Sequence, residues 1–313
     1  MPVRSPLSVL AAVVGASALL SLALPAAPPL TAAPERSPAL QSLVETEQAF
    51  AKMGAAKGLR DAYLEYLSED SLLFRPGPVP GKMFYRRQPP SRGRTTWAPD
   101  FADIAVSGDL GYNAGPFEFR EGDGTAAAPT PTPTWAGHFM SLWRKQADGQ
   151  WKVELDTHID HKPFTTAVAD VKDVATSSAP GTAANDAKPQ KERETALLDL
   201  DKGYAKEAAS GGGLDAILRA HALDDIRVYR PGSFPFVGKA ALDAAARADA
   251  APVTMWQPTV ARMSTAGDFG YTTGLIPPSA QTTGPARPRY YVRVWKRQAS
   301  GAWKIALDLI PAS

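Results

Sequence analysis

The chain has 313 residues, enough for two domains of ordinary size, and its 44% hydrophobic and 21% charged content is typical of a globular protein rather than a disordered one. The formal net charge is only +2, so nothing drives the chain toward nucleic acid or anionic membranes, and we expect neither as a partner. The sequence contains no cysteine, which excludes disulfides, thiol nucleophiles and thiolate metal ligands.

Residues 1–33 have the three-part pattern of a secretory signal peptide. Residues 1–4 are a short basic start, residues 7–24 are apolar or small throughout, and a stretch rich in proline and alanine ends at Ala33. This pattern predicts export and removal of the segment, which would leave a secreted or periplasmic protein. The alternative is an uncleaved anchor, because 18 apolar residues lie at the lower limit for a membrane span.

Two helices are predicted next, followed by a strand. Apolar residues at helical spacing between Leu40 and Phe50 indicate an amphipathic helix, and residues 59–67 indicate a second one. The first helix carries Leu40, Leu43, Val44, Glu47 and Phe50 on one face. A β-rich run at 72–74 must end at the Arg-Pro-Gly turn of 75–77, because proline cannot donate to a ladder. We expect Arg75 to bind a carboxylate or a carbonyl nearby, for example the carboxylate of Asp70.

A basic stretch follows the turn, with no acidic residue before Asp100. Its cations are Lys82, Arg86, Arg87, Arg92 and Arg94. One interpretation is a collector of anionic ligands at a pocket mouth, and the other is a solvated loop, since charge runs outside periodic elements are usually exposed. Because Pro89, Pro90 and Gly93 interrupt the stretch, we predict a loop.

Antiparallel strands close the first half, and a tight turn at Asp148-Gly149 joins the last two. Side chains alternate along a strand, so His138, Met140 and Leu142 share one face of the penultimate strand. That face is apolar, and we expect it to look into the interior of the domain. An imidazole there could act as a base, with Tyr112 as its electrophilic partner, or be hydrogen-bonded only for structure.

The last strand of the first half ends in alternating polar residues, Asp156, His158 and Asp160. A carboxylate and an imidazole on one face can bind a divalent metal. The opposite face is apolar, so we expect the polar face to meet solvent or a partner surface. We expect no metal site, because the spacing matches no established ligand motif. The apolar residues in question are Trp151, Val153, Leu155 and Ile159.

The second half of the chain repeats the first. FRPG at 74–77 returns as YRPG at 229–232, GDLGY at 108–112 as GDFGY at 267–271, and WRKQADGQWKVELD at 143–156 as WKRQASGAWKIALD at 295–308. Matching order over so long a stretch indicates a duplication. In the second copy, residues 240–250 predict a third helix, Ser300-Gly301 repeats the hairpin turn, and Arg230 has the place of Arg75 with Asp225 as its expected partner.

Between the copies, residues 163–190 are rich in Ala, Thr, Ser, Pro and Gly without an apolar period, which is typical of a flexible linker. The expected domains are therefore residues 34–162 (repeat one) and 191–313 (repeat two). One hypothesis is that the two repeats contact each other as an internal pseudo-dimer.

Two helices, a strand, a variable helix and a curved meander, together with the GD-x-GY strand start and the closing W-[RK]-x-Q-x-x-G-x-W-K pattern, resemble the nuclear transport factor 2-like superfamily and its SnoaL-like, uncharacterised branch. The resemblance covers both repeats. It implies an α+β fold of two tandem cones, each with helices packed on a curved antiparallel sheet and a pocket between them. It does not imply one chemistry, since this fold serves many functions.

Three functions remain open from the sequence. One is a small-molecule binder without a reaction, another is a cofactor-independent isomerase, cyclase or dehydratase in repeat one, and the third is a structural module. We expect no cofactor. The residues we expect to bind a ligand are Tyr66, Trp97, Tyr112, His138, Met140, Trp256, Tyr271 and Tyr290.

Overall fold

The structure is a computed structural model that describes residues 1, 36–90, 93–121, 133–164, 168, 171, 173–177, 181–184, 188–249, 252–278 and 287–311. The predicted signal peptide lies outside the described residues apart from Met1, and so does Arg92 of the basic stretch. In the part of the chain that is described, no helix has the length and apolar character needed to span a bilayer.

Repeat one begins with helices that the sequence caps and separates. Ser37 accepts a hydrogen bond from the backbone N–H of Leu40 at 3.2 Å, which starts the first helix. Gly58, with φ of 87°, lets the chain turn directly into the second helix. The helices are α1 (Pro38–Lys57), α2 (Leu59–Tyr66) and α3 (Gly81–Arg87).

One mixed sheet forms the rest of repeat one. Its strands are β1 (Leu67–Phe74), β2 (Pro78–Pro80), β3 (Gly93–Trp97), β4 (Phe101–Ile104), β5 (Leu110–Glu121), β6 (Trp135–Lys145) and β7 (Trp151–Asp160). Their order is β2-β1-β7-β6-β5-β3, with β4 also paired to β5. Only the β1–β7 pair is parallel; the other described pairs are antiparallel.

Repeat two has the same plan. Its elements are α4 (Gln190–Ser210), α5 (Gly213–His221), β8 (Ala222–Tyr229), β9 (Phe236–Val237), a 3-10 turn (Lys239–Ala241), α6 (Leu242–Ala248), β10 (Gln257–Met263), β11 (Phe269–Ile276), β12 (Arg289–Arg297) and β13 (Trp303–Leu309). The sheet order is β10-β11-β12-β13-β8-β9, and β8 is parallel to β13. The expected α+β class is confirmed.

Local predictions can be compared with this plan. The loop predicted for the basic stretch is wrong in its first part, because α3 (Gly81–Arg87) is helical there. The helix ends before Pro89 and Pro90, since a residue that precedes proline is disfavoured in the α conformation. The hairpin turns are confirmed, with Gly149 at φ of 84° and Gly301 at 86°.

A β-bulge interrupts the pairing of β6 with β7. Leu142 pairs with Leu155, whereas the next residue, Trp143, pairs with Val153. One extra residue on β7 reverses the side-chain alternation beyond it. Val153 therefore packs with the helices of repeat one, while Leu155 packs on the opposite face of the sheet.

Both faces of each sheet are buried. On one face of each sheet a core forms with the helices of the same repeat. The opposite faces pack against each other and make a third core shared by the two repeats, within a compact body of residues 36–313. Its members include Tyr112, Met140, Leu142, Leu155, Phe269, Tyr271, Val292, Val294 and Leu307.

The described parts of the predicted linker lie against both repeats. The backbone of Ala175 forms hydrogen bonds with Asp100 and Ala102 of repeat one, and Val174 is buried. Thr182 donates its backbone N–H to the carbonyl of Arg297 in repeat two. These contacts come mainly from backbone groups, which is why no apolar period marks them in the sequence.

Candidate functional site

Repeat one encloses a cavity of about 130 Å³ between its helices and the concave face of its sheet (the repeat-one cavity). The wall is mostly aromatic, with a smaller polar part. The aromatic rings belong to Phe50, Tyr63, Tyr85, Trp97, Phe117, Trp135 and Phe139. The polar side chains are those of Arg75, Thr95, Ser141, Asp156 and His158. An apolar cavity with a few convergent polar groups is the usual form of a small-molecule site.

Asp156 is the buried carboxyl group of this cavity. Its Oδ1 accepts a hydrogen bond from the Tyr63 hydroxyl at 2.9 Å, and its Oδ2 accepts one from Ser141 Oγ at 2.9 Å. Burial raises the pKa of Asp156, and the nearby Arg75 opposes that rise. A carboxyl group held in this way can exchange a proton with a bound molecule closer to neutral pH than an exposed aspartate could.

Arg75 connects Asp156 to His158. Its Nη2 lies 3.7 Å from Asp156 Oδ1, and its Nη1 lies 3.3 Å from His158 Nδ1. Because a guanidinium can only donate, Nδ1 is the acceptor and the ring proton is on Nε2. Burial, together with the charge of Arg75, lowers the pKa of His158 to about 3. His158 is therefore neutral in the folded protein at physiological pH.

Thr95 is the unpaired polar group of the wall. Its side chain is 8% exposed, and its hydroxyl has no hydrogen-bond partner in the part of the chain that is described. A buried hydroxyl without a partner costs on the order of 1–3 kcal/mol. The hydroxyl therefore offers a bound molecule a hydrogen bond that the protein itself leaves unmade.

A second buried carboxyl group lies behind the wall. Glu47 of α1 accepts hydrogen bonds from the indole N–H of Trp97 at 2.8 Å and of Trp143 at 2.9 Å. Complete burial raises the pKa of Glu47 to about 8. Trp97 lines the cavity, so Glu47 fixes the orientation of one of its walls.

The equivalent space in repeat two holds an arginine. Arg293 occupies the ladder position opposite Asp308 that Ser141 occupies opposite Asp156. Its guanidinium donates to Asp201 at 2.6 Å and to Asp308 at 2.8 Å. A buried side chain thus takes the place where repeat one has a small serine and a cavity.

Few of the residues expected to bind a ligand line the repeat-one cavity. Trp97 does so. Tyr112, Met140 and Tyr271 lie instead in the core between the two sheets. The others are dispersed: Tyr66 packs on Phe50 and Trp143, Trp256 donates to Asp201 inside repeat two, and Tyr290 lies beside Phe74.

His138 also lies outside the cavity lining. Its Nδ1 is 2.7 Å from His161 Nε2, and His161 Nδ1 is 2.7 Å from the carbonyl oxygen of Lys162. Since the carbonyl can only accept, His161 carries its proton on Nδ1, and its Nε2 accepts a hydrogen bond from His138 Nδ1–H. The expectation that His138, Met140 and Leu142 face the cavity is wrong, because that face packs toward the other repeat.

The expected solvent exposure of Asp156 and His158 is wrong as well. The bulge in β7 turns both side chains toward the cavity, and Asp156 is 3% exposed. The carboxylate partner of Arg75 is Asp156 rather than Asp70, and that of Arg230 is Asp308 together with Asp249 rather than Asp225. The guanidinium of Arg75 lies close to both Asp156 and His158.

The basic stretch makes local ion pairs. Lys82 lies 2.6 Å and Arg86 3.5 Å from the carboxylate of Glu69 on β1. Neither side chain lines the repeat-one cavity.

No family model matches the chain, and no curated protein matches it. Among solved structures it is similar to a ketosteroid isomerase-like protein from Erwinia carotovora atroseptica, at 15% identity over 41% of this chain and 100% of that one, with a TM-score of 0.33. It is also similar to an NTF2-like protein of unknown function from Shewanella oneidensis, at 17% identity over 38% of this chain and 96% of that one, with a TM-score of 0.29. A third similar structure is an NTF2-like protein with a cystatin-like fold from Novosphingobium aromaticivorans, at 18% identity over 39% of this chain and 82% of that one, with a TM-score of 0.30.

The order of elements in each repeat decides the fold. Two helices, a strand, a short helical segment and an antiparallel meander occur twice, as the resemblance implied. Each repeat therefore has the order of elements that the nuclear transport factor 2-like resemblance implies. For such repeats the fold alone assigns no activity.

Proposed function

We propose that repeat one binds a small, largely apolar molecule of about one ring in its cavity. The volume of about 130 Å³ is close to that of an apolar cavity known to accept benzene, about 150 Å³. Aromatic rings make up most of the cavity wall, and their faces and edges favour contact with a flat occupant.

The observation that carries this proposal is the unpaired hydroxyl of Thr95 on an otherwise aromatic wall. Buried polar groups in native proteins are generally hydrogen-bonded, so a group left unpaired beside an open cavity calls for an occupant with a polar atom. The proposed ligand therefore carries at least one hydroxyl, carbonyl or amine.

Binding of phenol tests the proposal, with affinity measured by calorimetry and by ligand-observed NMR. Thr95→Val keeps the shape of the side chain and removes the hydroxyl, so it should weaken phenol binding by about fivefold or more. The matched control is Thr254→Val at the equivalent, exposed position of repeat two, which should leave the affinity unchanged. Equal affinities of the wild type and the Thr95 variant would contradict the proposal.

A second candidate function is proton transfer without a cofactor, and the raised pKa of Asp156 favours it. The carboxylate would take a proton from the carbon next to a ring carbonyl, and the enolate would take it back at the same or another carbon. Thr95 is the uncommitted donor on the same wall that could hold the enolate oxygen. His138 and Tyr112, which the sequence suggested for this role, lie elsewhere.

Exchange of the α-hydrogens of cyclohexanone in deuterated water, followed by NMR, tests this second function. Asp156→Asn should abolish any exchange catalysed above the buffer rate and still bind phenol, because the amide keeps the size of the side chain. Exchange that survives in the Asp156→Asn variant would exclude Asp156 as the base.

Export remains part of the proposal, supported by the charge and apolar pattern of residues 1–33. Mass spectrometry of the protein from its native host would give the N-terminus. A chain that retains residues 1–33 would contradict cleavage.

A further inference from the structure

A larger cleft adjoins the repeat-one cavity, and both repeats build it. This outer cleft has a volume of about 480 Å³ and shares Arg75, Trp135 and His158 with the cavity lining. Arg287 and Pro311 of repeat two complete it. A molecule whose ring fills the cavity could therefore extend past these shared residues toward repeat two.

The two arginines of the outer cleft differ in what they already bind. Arg75 donates to the carbonyl of Phe74 at 2.8 Å and lies close to Asp156 and His158. Arg287 has no ion pair or hydrogen bond within the described part of the chain, and its side chain is exposed. A guanidinium without a carboxylate at a cleft wall is a ready partner for an anion.

An acidic side chain beside this wall, Asp160, lies 3.6 Å from His158 Nε2 and already has a hydrogen-bond donor. Asp160 accepts a hydrogen bond from the indole N–H of Trp135 at 2.7 Å. The same contact fixes the Trp135 ring, which is 38% exposed and lines both the cavity and the cleft. His158 is neutral, so the charges on the cleft wall itself are the two guanidinium groups.

We propose that the ligand of repeat one is an aromatic carboxylic acid, with its ring in the repeat-one cavity and its carboxylate held by Arg287 in the outer cleft. This inference rests on the proposed function, and it adds the substrate class and a contribution from repeat two. It also gives the duplication a role at the site, because repeat two supplies the residue that selects the anion.

A series of phenyl-substituted acids and their primary amides tests the proposal: benzoate, phenylacetate, 3-phenylpropanoate and 4-phenylbutanoate. Calorimetry or ligand-observed NMR at fixed ionic strength gives the ratio of amide to acid dissociation constants. In the wild type, the acid should bind more tightly by about three- to tenfold at one chain length, as expected for a partly exposed charge-assisted contact. The preference should weaken as salt is added.

Arg287→Gln should remove the preference for the acid and leave the affinity for the amide within about twofold, since only the charge contact is lost. Arg219→Gln is the matched control, because Arg219 is an exposed arginine of repeat two that pairs with Asp243 and does not line the cleft. It should leave both affinities unchanged.

Equal binding of acid and amide by the wild type, or a preference that persists in Arg287→Gln, would overturn the assignment of the anion site. In that case amide binding still supports a ring site in repeat one. If no member of the series and no phenol binds, both the proposed function and this inference are wrong.

Discussion

Arg293 of repeat two and Ser141 of repeat one occupy the same position in the two sheets. Each stands opposite an aspartate on the last strand, Asp308 or Asp156. Arg293 bridges two buried carboxylates, whereas Ser141 bonds only to Asp156 and leaves space beside it. One side chain therefore accounts for much of the difference between a filled repeat and an open one.

Ser141→Arg should convert repeat one to the filled form. The new guanidinium would have Asp156 and Glu47 within the reach that Arg293 has for Asp308 and Asp201, so the charge would not be buried alone. Phenol affinity should fall by more than about tenfold, with little change in the thermal midpoint. Calorimetry and a thermal melt check both expectations.

The control for that substitution is Ser141→Ala, which removes the hydroxyl and makes the side chain smaller. It should keep the cavity and the phenol affinity and lose about 1 kcal/mol of stability with the hydrogen bond to Asp156. Phenol binding of wild-type strength in Ser141→Arg would show that the cavity is not where phenol binds.

The fold could be predicted because the same sequence motifs occur in both repeats. The RPG turn, the GD-x-GY start and the hairpin at Gly149 depend on local backbone requirements, and each recurs in the second copy at matching spacing. Local rules also predicted the bounds of α2 closely, since residues 59–67 were expected and Leu59–Tyr66 are helical. The fold was therefore predictable from residues that determine the backbone conformation of their own segment.

The site could not be predicted in the same way. Period-two alternation assigns faces correctly only along an unbroken strand, and the bulge between Val153 and Leu155 reverses the assignment for Asp156 and His158. The apolar face of β6, with Met140 and Leu142, is not the cavity face either. In this molecule the more apolar face packs on the other repeat, and the cavity face holds the polar groups.

Other site residues gave no signal because their role depends on distant partners. Tyr63 donates a hydrogen bond to Asp156, which lies 93 positions away in the sequence. Thr95 is distinguished by its buried hydroxyl, which has no hydrogen-bond partner in the described part of the chain. Glu47 is a polar residue on the buried face of a predicted helix, and this anomaly is a sequence clue to the buried carboxyl groups.

Glu47 should make the stability of the protein fall as pH rises. Its pKa is about 8 in the folded protein and near 4.5 in the unfolded chain, so its contribution is fully present below about 4.5 and is lost as pH rises through 8. The shift corresponds to on the order of 3–5 kcal/mol. Asp103 and Asp156 also have raised pKa values and act in the same direction.

Glu47→Gln isolates this contribution. The amide cannot ionise but leaves one indole N–H poorly paired, so the variant should be less stable than the wild type at pH 5 and should recover relative to it by pH 9. Urea denaturation at several pH values measures the difference, with the exposed Glu45→Gln on the same helix as the control. Parallel profiles for wild type and Glu47→Gln would contradict the raised pKa.

His158 should stay neutral throughout the range from about pH 5 to 8, with the proton on Nε2. Its folded pKa is about 3. The unfolded histidine takes up a proton below about 6.5, so burial of the neutral ring destabilises the protein as pH falls. Long-range proton–nitrogen NMR reports the tautomer, and Arg75→Gln should raise the pKa by removing the neighbouring charge. If the His158 imidazole of the wild type titrates near pH 6.5, its ring is not buried in the wall of the repeat-one cavity.

The last prediction concerns the ion pair that joins the two repeats inside their shared interface. Lys296 of β12 lies 2.8 and 3.0 Å from the carboxylate oxygens of Asp103 in β4, and both side chains are buried. Lys296→Met would leave the carboxylate unpaired and should cost about 3–5 kcal/mol. Asp103→Leu alone should be comparably destabilising, because the ammonium then has no partner.

The double substitution, Asp103→Leu with Lys296→Met, removes both charges and should be far less destabilising than the sum, with a coupling of at least about 2 kcal/mol. Urea denaturation of the four proteins completes the cycle. The exposed Arg219–Asp243 pair is the control, and Arg219→Gln should leave the urea midpoint unchanged. Additive single effects at Asp103 and Lys296 would mean that the two side chains do not meet, and that the sheets pack in another register.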